Sequence, residues 1–450
     1  MCHERMGTVM RVMKFGGASL SGVSEIRQAV KLIHEYRERG PVAVVVSAIG
    51  KMTECLLAGL RNGEEGESLF TFCFHLHEGL CKSLGIDSVI LNPLNAEMEQ
   101  LSENRKTMPE PSYRERLVAF GEQFSARLIA AALSMNTPAM AFDSWDAGIE
   151  LSDDRGFLEI DESGYSRIRE TLKEKTKDFC VIPVITGYIG KKRNGVITNL
   201  GRGGSDLTAT ALGAALKAEE IIAWKDVPGI MSADPGIVSS AHVIPEISFE
   251  EAGEMAFFGA QVLHPRSMYP ARFHSIPVRI KSFLDPRHPG TLIRGEEGSE
   301  GFLKAVTGRG DVTLIDITSN RMLGQYGFLS KIFSVFEALK LSVDLIATSE
   351  VSVSCTLDES HDAELLKESL EKYAQVSIRR RRGILTLIGG GKAAPLLLAD
   401  GLKALHDKKI EVEMVSHGAS KTSTGIVLRN EELNRALNIV HSTLSEEVKV

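Results

Sequence analysis

The sequence predicts an α/β protein: a layered domain with a mainly parallel central sheet, followed by two small βαββαβ modules. Three observations predict it. Apolar, β-branched runs alternate with helix-period segments through the first two-thirds of the chain, the pattern of a sheet covered by helices. A polar, glycine-rich stretch at residues 295–301 marks a linker. Beyond it the order strand, helix, two strands, helix, strand runs once and then begins again.

The elements follow in chain order. Residues 12–15 form an apolar strand interrupted by Lys14, which runs into Gly16-Gly17. Residues 25–39 carry Ile26, Val30 and Ile33 at helical spacing and stop at Gly40-Pro41. Residues 42–46 are continuously apolar, as a strand buried on both faces requires. The helical middle, residues 68–135, includes a helix over 113–133 that carries Glu122. Strands are predicted at 181–185, 220–223 and 278–280, and a helix at 205–216.

Past the linker, the first module reads as strand 312–317, helix 327–339, strands 343–347 and 351–357, helix 362–373 and strand 376–380. The second reads as 384–388, 395–406, 412–416, 425–428 and 434–444, and it lacks a last strand. An orphan strand at 302–306 precedes the first copy. The prediction is therefore an insertion: a first domain over 1–294, a linker over 295–301 and a C-terminal region over 302–450. Within that region the first module, 308–382, interrupts the second, 302–307 plus 383–450.

Composition narrows the function. With 450 residues, 43% of them hydrophobic and 25% charged, the chain has room for two or three domains with real cores. A net charge of -7 provides no global basic field for nucleic acid or an anionic membrane. The cationic run 379–382 reads as a solvated strand end. Six cysteines are scattered without C-x-x-C or metal-ligand spacing, as in a reducing compartment. No apolar run reaches membrane-spanning length, and residues 1–8 read as an extension without a secretory apolar segment. The expected location is cytoplasmic.

The chemistry concentrates in two glycine turns. In Gly201-Arg202-Gly203-Gly204-Ser205-Asp206 three glycines let backbone N–H groups crowd an anion, and the helix that follows adds its positive end. The turn also carries a cation, Arg202, and a carboxylate, Asp206. Lys14-Phe15-Gly16-Gly17-Ala18-Ser19 is the second turn, with a compact charge suited to a phosphate oxygen. Two such turns in one domain point to nucleotide phosphoryl transfer. No Walker loop or protein-kinase motif is present; Gly390-Gly391-Lys392 lacks the required spacing.

Those turns, with Ser47-Ala48-Ile49-Gly50-Lys51-Met52-Thr53, Phe120-Gly121-Glu122, Trp224-Lys225-Asp226-Val227-Pro228-Gly229-Ile230 and Phe258-Gly259-Ala260-Gln261-Val262-Leu263-His264-Pro265, resemble the successive signatures of the aspartokinase family. The resemblance covers essentially the whole first domain, in family order. It implies an amino-acid-kinase-type αβα sandwich and transfer of the ATP γ-phosphoryl group to the side-chain carboxylate of L-aspartate. The product, 4-phospho-L-aspartate, begins lysine, threonine, methionine and diaminopimelate synthesis.

By resemblance, Lys14 and Asp206 are catalytic, Lys14 on the phosphates and Asp206 orienting it. Arg202 would clamp the aspartate α-carboxylate and Glu122 its ammonium, with Ser47, Thr53 and Ser205 as hydroxyl donors. Gly16, Gly17, Ser19, Gly203 and Gly204 would cradle phosphate. Lys225, Asp226, Met231, Asp234 and Gln261 would line the nucleotide. The substrate carboxylate is already ionised at neutral pH, so no general base is called for. Mg²⁺ is expected to ride on ATP phosphates and water, because no carboxylate pair reads as an octahedral cage. Two departures stand out: Gln261 where many members have lysine, and Lys225 where many have threonine. A plant-type variant of the motifs shares both, and Lys225 would replace the missing phosphate cation. Met231 stands where an aromatic is common.

The paired modules resemble ACT domains, small amino-acid sensors. Met322, Gly327, Phe328, Leu329, Ser342, Val343, Asp344, Thr348, Ser349 and Glu350 resemble the lysine-sensitive branch. Asp344 and Glu350 would face the two ammonium groups of lysine, and a homodimer through these modules is implied. Threonine and S-adenosylmethionine stay open as effectors. Two other readings are a superfamily kinase for another small acid, such as acetylglutamate or UMP, and an amino-acid sensor with residual kinase activity.

Overall fold

The strand Arg11–Phe15 (β1) lies at the centre of a sheet because its Val12 to Phe15 stretch is wholly buried. The computed structural model describes residues 9–61, 66–152, 159–160, 164–259, 263–295, 303–319, 326–419 and 422–446. Two compact units form, Met1–Ile230 with Leu263–Gly295, and Met231–Val262 with Glu296–Val450. Residues 231–262, assigned to the catalytic domain from the sequence, thus group by compactness with the C-terminal region. Gln261, Met322, residues 1–8 and most of the 295–301 stretch lie outside the described residues.

In the first unit, β1 is joined by Val42–Val46 (β2), Ala139–Phe142 (β3), Ile182–Thr186 (β4), Glu220–Lys225 (β5), Val278–Ser282 (β6) and Thr291–Arg294 (β7). The order is β7-β6-β5-β1-β2-β4-β3. Pairing is parallel throughout, except for antiparallel β6 with β7. Val42 to Val46 are all buried, the expected signature of a strand covered on both faces. Helices Val23–Arg37 (α1), Met52–Arg61 (α2), Glu110–Ser134 (α3) and Gly204–Leu216 (α4) supply the cover. Every residue of α4 is buried, which explains its alanine-rich composition: small side chains let it lie close to β1, β2 and β5. At the ends of β1 and β5, Phe15 and Trp224 stack with ring centroids 6.2 Å apart. That contact fixes the two strand ends beside each other.

Strand order reverses at β1. The chain leaves it through α1 to reach β2 on one side, while β5 flanks it on the other. The crevice beyond the C-terminal ends of such strands is where α/β sheets place ligands.

The second unit is built on a sheet of Leu303–Thr318 (β8), Ile346–Thr348 (β9), Ser352–Asp358 (β10), Gln375–Gly389 (β11), Met414–His417 (β12) and Ser423–Arg429 (β13). Its order is β9-β10-β8-β11-β13-β12. Phe328–Ala338 (α5), Ala363–Leu370 (α6), Ala394–Asp407 (α7) and Leu433–Glu446 (α8) complete it.

Here the structure departs from the sequence reading. Strands expected separately at 302–306 and 312–317 are one strand, β8, and those expected at 376–380 and 384–388 are one strand, β11. The arginine-rich stretch 379–382, expected as a solvated strand end, instead lies inside β11. Bulges join the merged halves: register shifts occur between Arg309 and Val312, and Asp311 and Arg381 both take a left-handed φ of 55°. Gly308 and Gly383 serve close approach, since a Cβ at Gly308 would meet Leu437 at 2.8 Å and one at Gly383 would meet Leu433 at 3.1 Å. Ala305 to Arg309 pair with Ile388 to Ile384, beside the strands of the second module.

Candidate active site

Lys14 is the next-to-last residue of β1 and only 5% exposed. Its Nζ lies 2.9 Å from Oδ1 of Asp206, in the first turn of α4. The other carboxylate oxygen, Oδ2, accepts from Lys225 Nζ at 3.0 Å, at the end of β5. One buried carboxylate therefore holds two ammonium groups at the strand ends where the order reverses. Burial alone would raise Asp206, but Lys14 and Lys225 bring it down to about 2. Burial pulls Lys14 down to about 8, with Lys225 adding to the fall and Asp206 opposing it.

The glycines around this cluster are spatial requirements. A Cβ on Gly17 would sit 2.3 Å from the Gly50 carbonyl oxygen, and the Gly50 N–H donates to the Gly17 carbonyl at 3.0 Å. This contact ties the β1 turn to the β2 turn. Gly203 has φ 75° and caps α4, with His264 occupying the space a side chain would need. Ser19 is buried within the single turn Gly17–Leu20.

On the other side of the cluster, Ser47 Oγ donates to Ser205 Oγ at 2.9 Å. Gly187 permits that approach, because its Cβ would fall 2.7 Å from Ser205 Cβ. Glu122 is 2% exposed in the middle of α3. The Ala48 N–H donates to its Oε1 at 3.3 Å, the Thr53 hydroxyl also donates to it, and its Oε2 is buried without a hydrogen-bond partner. Burial pushes the Glu122 carboxyl up to about 8 despite those donors. A carboxylate held this way accepts a cation readily and ionises reluctantly without one.

The structure thus brings together Lys14, Asp206 and Lys225, and links Ser47, Thr53, Ser205 and Glu122 through the β2 turn. Arg202 is exposed in the turn that starts α4, close enough to His264 for its charge to lower that imidazole along with burial. Asp226 is exposed after β5. Met231 and Asp234 belong to the second unit, where Met231 bridges Val243 and Asp234 Oδ1 accepts from the Gly236 N–H at 2.8 Å.

In the second unit, Gly327 caps α5 with φ 74° above the buried Phe328, and Leu329 is exposed. Val343 is half-buried and Ser342, Thr348 and Glu350 are exposed. Ser349 and Ser352 hydroxyls lie 2.7 Å apart. Asp344 pairs with Arg309 at 2.9 Å.

Sequence reasoning assigned no role to three residues. Tyr188 has φ 65°, rare for a residue with a side chain, and its pKa is raised by burial and by Glu122. The Asn199 side chain accepts from the Gly201 N–H at 3.0 Å and shapes the turn. His264 accepts from the Arg266 N–H at 3.3 Å through Nδ1, which leaves the other ring nitrogen as a donor. The Asn199-x-Gly201 spacing and the place of His264 in a signature motif were readable signals; Tyr188 had none.

Comparison with known proteins gives concordant results. The amino acid kinase family model matches residues 10–282, and an ACT domain model matches residues 385–444. Aspartokinase 3, chloroplastic, of Arabidopsis thaliana is 40% identical over 97% of this chain and 81% of its own length. Lysine-sensitive aspartokinase 3 of Escherichia coli strain K12 is 32% identical, over 97% of this chain and 99% of its own. The crystal structure of E. coli aspartokinase III in complex with aspartate and ADP superposes with a TM-score of 0.79. It is 30% identical and covers 97% of this chain and 100% of that one.

Proposed function

From the premise that this chain belongs to the aspartokinases, an enzyme of the amino acid kinase family, we propose how its residues divide the work and how it is regulated. The reaction is transfer of the ATP γ-phosphoryl group to the β-carboxylate of L-aspartate, giving 4-phospho-L-aspartate and ADP. The observation that carries it is the Asp206 carboxylate held between Lys14 and Lys225 at the strand ends.

Phosphoryl transfer through a loose transition state asks for positioning and charge neutralisation, not covalent chemistry. Lys14 meets the charge on the transferring group and Lys225 the adjacent phosphates. Asp206 is a positioning residue that holds both ammonium groups before the nucleotide arrives. Backbone N–H groups of the Gly16-Gly17 and Gly203-Gly204 turns, with Ser19, cradle phosphate oxygens. Asp226, exposed after β5, adds a further nucleotide contact.

Arg202 grips the α-carboxylate with its planar fork and the unpartnered oxygen of Glu122 takes the α-ammonium. Ser47, Thr53 and Ser205 orient the attacking carboxylate. Among the described residues no group of three or more His, Cys, Asp or Glu is gathered for a metal ion. In this reading Mg²⁺ rides on the ATP phosphates and water, where it would supply charge neutralisation.

For regulation, L-lysine binds the first ACT-like module through Asp344 and Glu350 with the segments around Met322, Gly327–Leu329, Ser342–Val343 and Thr348–Ser349. That module, 308–382, is inserted in the second, and two chains pair through these modules. A second crystal structure of E. coli aspartokinase III, in complex with lysine and aspartate, supports this choice of effector; it is 30% identical with a TM-score of 0.77. A cytoplasmic location completes the reading, although the Arabidopsis relatives are chloroplastic. No helix among the described residues is long and apolar enough to cross a membrane.

An ADP-release assay tests this directly. L-aspartate should drive ATP turnover, and L-lysine should suppress it. Turnover with another small acid in place of aspartate would overturn the substrate assignment, and indifference to lysine would overturn the effector.

A further inference from the structure

Arg309 sits on β8 at the start of its bulge, between two glycines, and is engaged on three sides. One guanidinium nitrogen donates to Asp344 Oδ1 at 2.9 Å and another to Asp358 Oδ2 at 2.7 Å. The same guanidinium lies over the Phe257 ring, 5.7 Å from its centroid. Phe257 ends the helix Phe249–Phe257. That helix and the residues just after it dock on the same sheet at three more points. Lys304 Nζ pairs with Glu251 Oε2 at 2.7 Å, Thr307 Oγ1 donates to the Phe258 carbonyl at 2.5 Å, and Ser423 Oγ donates to Glu254 Oε2 at 2.8 Å.

Asp344 is not satisfied by this arrangement. Its Oδ2 is buried without a hydrogen-bond partner. A buried carboxylate with one oxygen on a guanidinium and the other unmatched has capacity for a second cation. Asp358 differs, because Ser360 donates to its Oδ1 through both the amide, at 2.9 Å, and the hydroxyl, at 2.5 Å. Its position does not depend on Arg309.

We propose that Arg309 is the positioning residue through which an amino-acid ammonium at Asp344 is felt by the helix Phe249–Phe257. This rests on the reading of the first module as an effector site. An ammonium arriving at Asp344 competes with the guanidinium for the carboxylate and repels it. Arg309 keeps Asp358, which Ser360 holds in place, and turns away from Phe257. The helix loses one of its docking contacts on the sheet. Differential contact of the ligand with two arrangements of Arg309 is what a coupling free energy requires.

The test measures binding and inhibition separately on the full-length enzyme. L-lysine binding is followed by calorimetry and inhibition by ADP release. Arg309→Met keeps the side-chain stem and removes the cation. It should bind L-lysine at least as tightly as the parent, start from a lower turnover because the Phe257 contact is already gone, and lose about tenfold in the fold-inhibition reached at saturating lysine. Phe257→Leu leaves Asp344 and Arg309 in place, so lysine affinity should hold while inhibition weakens. Should both variants bind L-lysine and be inhibited as the parent is, the relay is overturned while the effector reading stands. If the parent itself fails to bind L-lysine, the effector reading falls and takes the relay with it.

Discussion

Glu122 leads to a measurable proton balance. In the unliganded enzyme its carboxyl is pushed up to about 8 by burial, so it is mostly neutral at pH 7. On the proposed role it must be ionised when the aspartate ammonium sits against Oε2, since an opposite charge in contact restores the charged form. Binding then expels a proton. Removing it costs about 1.4 kcal/mol for each pH unit below the free-enzyme value. Apparent aspartate affinity should therefore rise about tenfold per pH unit from 6 to 8 and level off above. The sign follows from the higher proton occupancy of the free state.

Titration calorimetry in two buffers of different ionisation enthalpy reads this out. At pH 7 close to one proton, roughly 0.9, should leave per aspartate bound. Glu122→Gln keeps the shape and removes the titration. Its aspartate affinity should be weak, by about 2–5 kcal/mol, and independent of pH over this range. A binding enthalpy that does not depend on buffer, with affinity flat from pH 6 to 8, would refute the assignment of Glu122 to the ammonium.

Three further outcomes are expected. Asp206→Asn leaves Lys14 and Lys225 facing each other without their shared counter-charge. It should lower turnover by about 10²–10³-fold and stability by about 3–5 kcal/mol, read by ADP release and thermal unfolding. Lys225→Ala should raise the KM for ATP with little change in that for aspartate; near-normal ATP affinity would show that Lys225 does not stand in for the missing cation. Gly17→Ala should cost about 1–3 kcal/mol and most activity, because the Gly50 carbonyl at 2.3 Å is backbone and cannot swing aside.

Much of this molecule was legible in its amino-acid order. The buried run 42–46, the helix ending at Gly40-Pro41 and the turns around Gly17 and Gly203 each carry a local signal, whether a period, a stop or a glycine. Motif order gave the family, and the comparisons agree. The candidate site was less legible. Gln261 and Met322 lie outside the described residues, and Met231 and Asp234 belong to the second unit. Tyr188 and Arg309 carried no motif at all.

What the sequence alone determined was the kind of the strongly patterned elements and the chemistry each turn can offer, because those depend on neighbours a few positions apart. Which groups meet was decided only by the folded chain. Asp206 takes Lys14 from β1 and Lys225 from β5, and Arg309 takes carboxylates on either side of a strand turn. The arginine-rich stretch at 379–382 continues a strand rather than ending one, since pairing with β8 satisfies its backbone on both sides of a bulge. Such pairings link residues far apart along the chain, and no local pattern encodes them. Burial then sets the electrostatics, so that a helix glutamate and a strand lysine, ordinary in sequence, both titrate near 8.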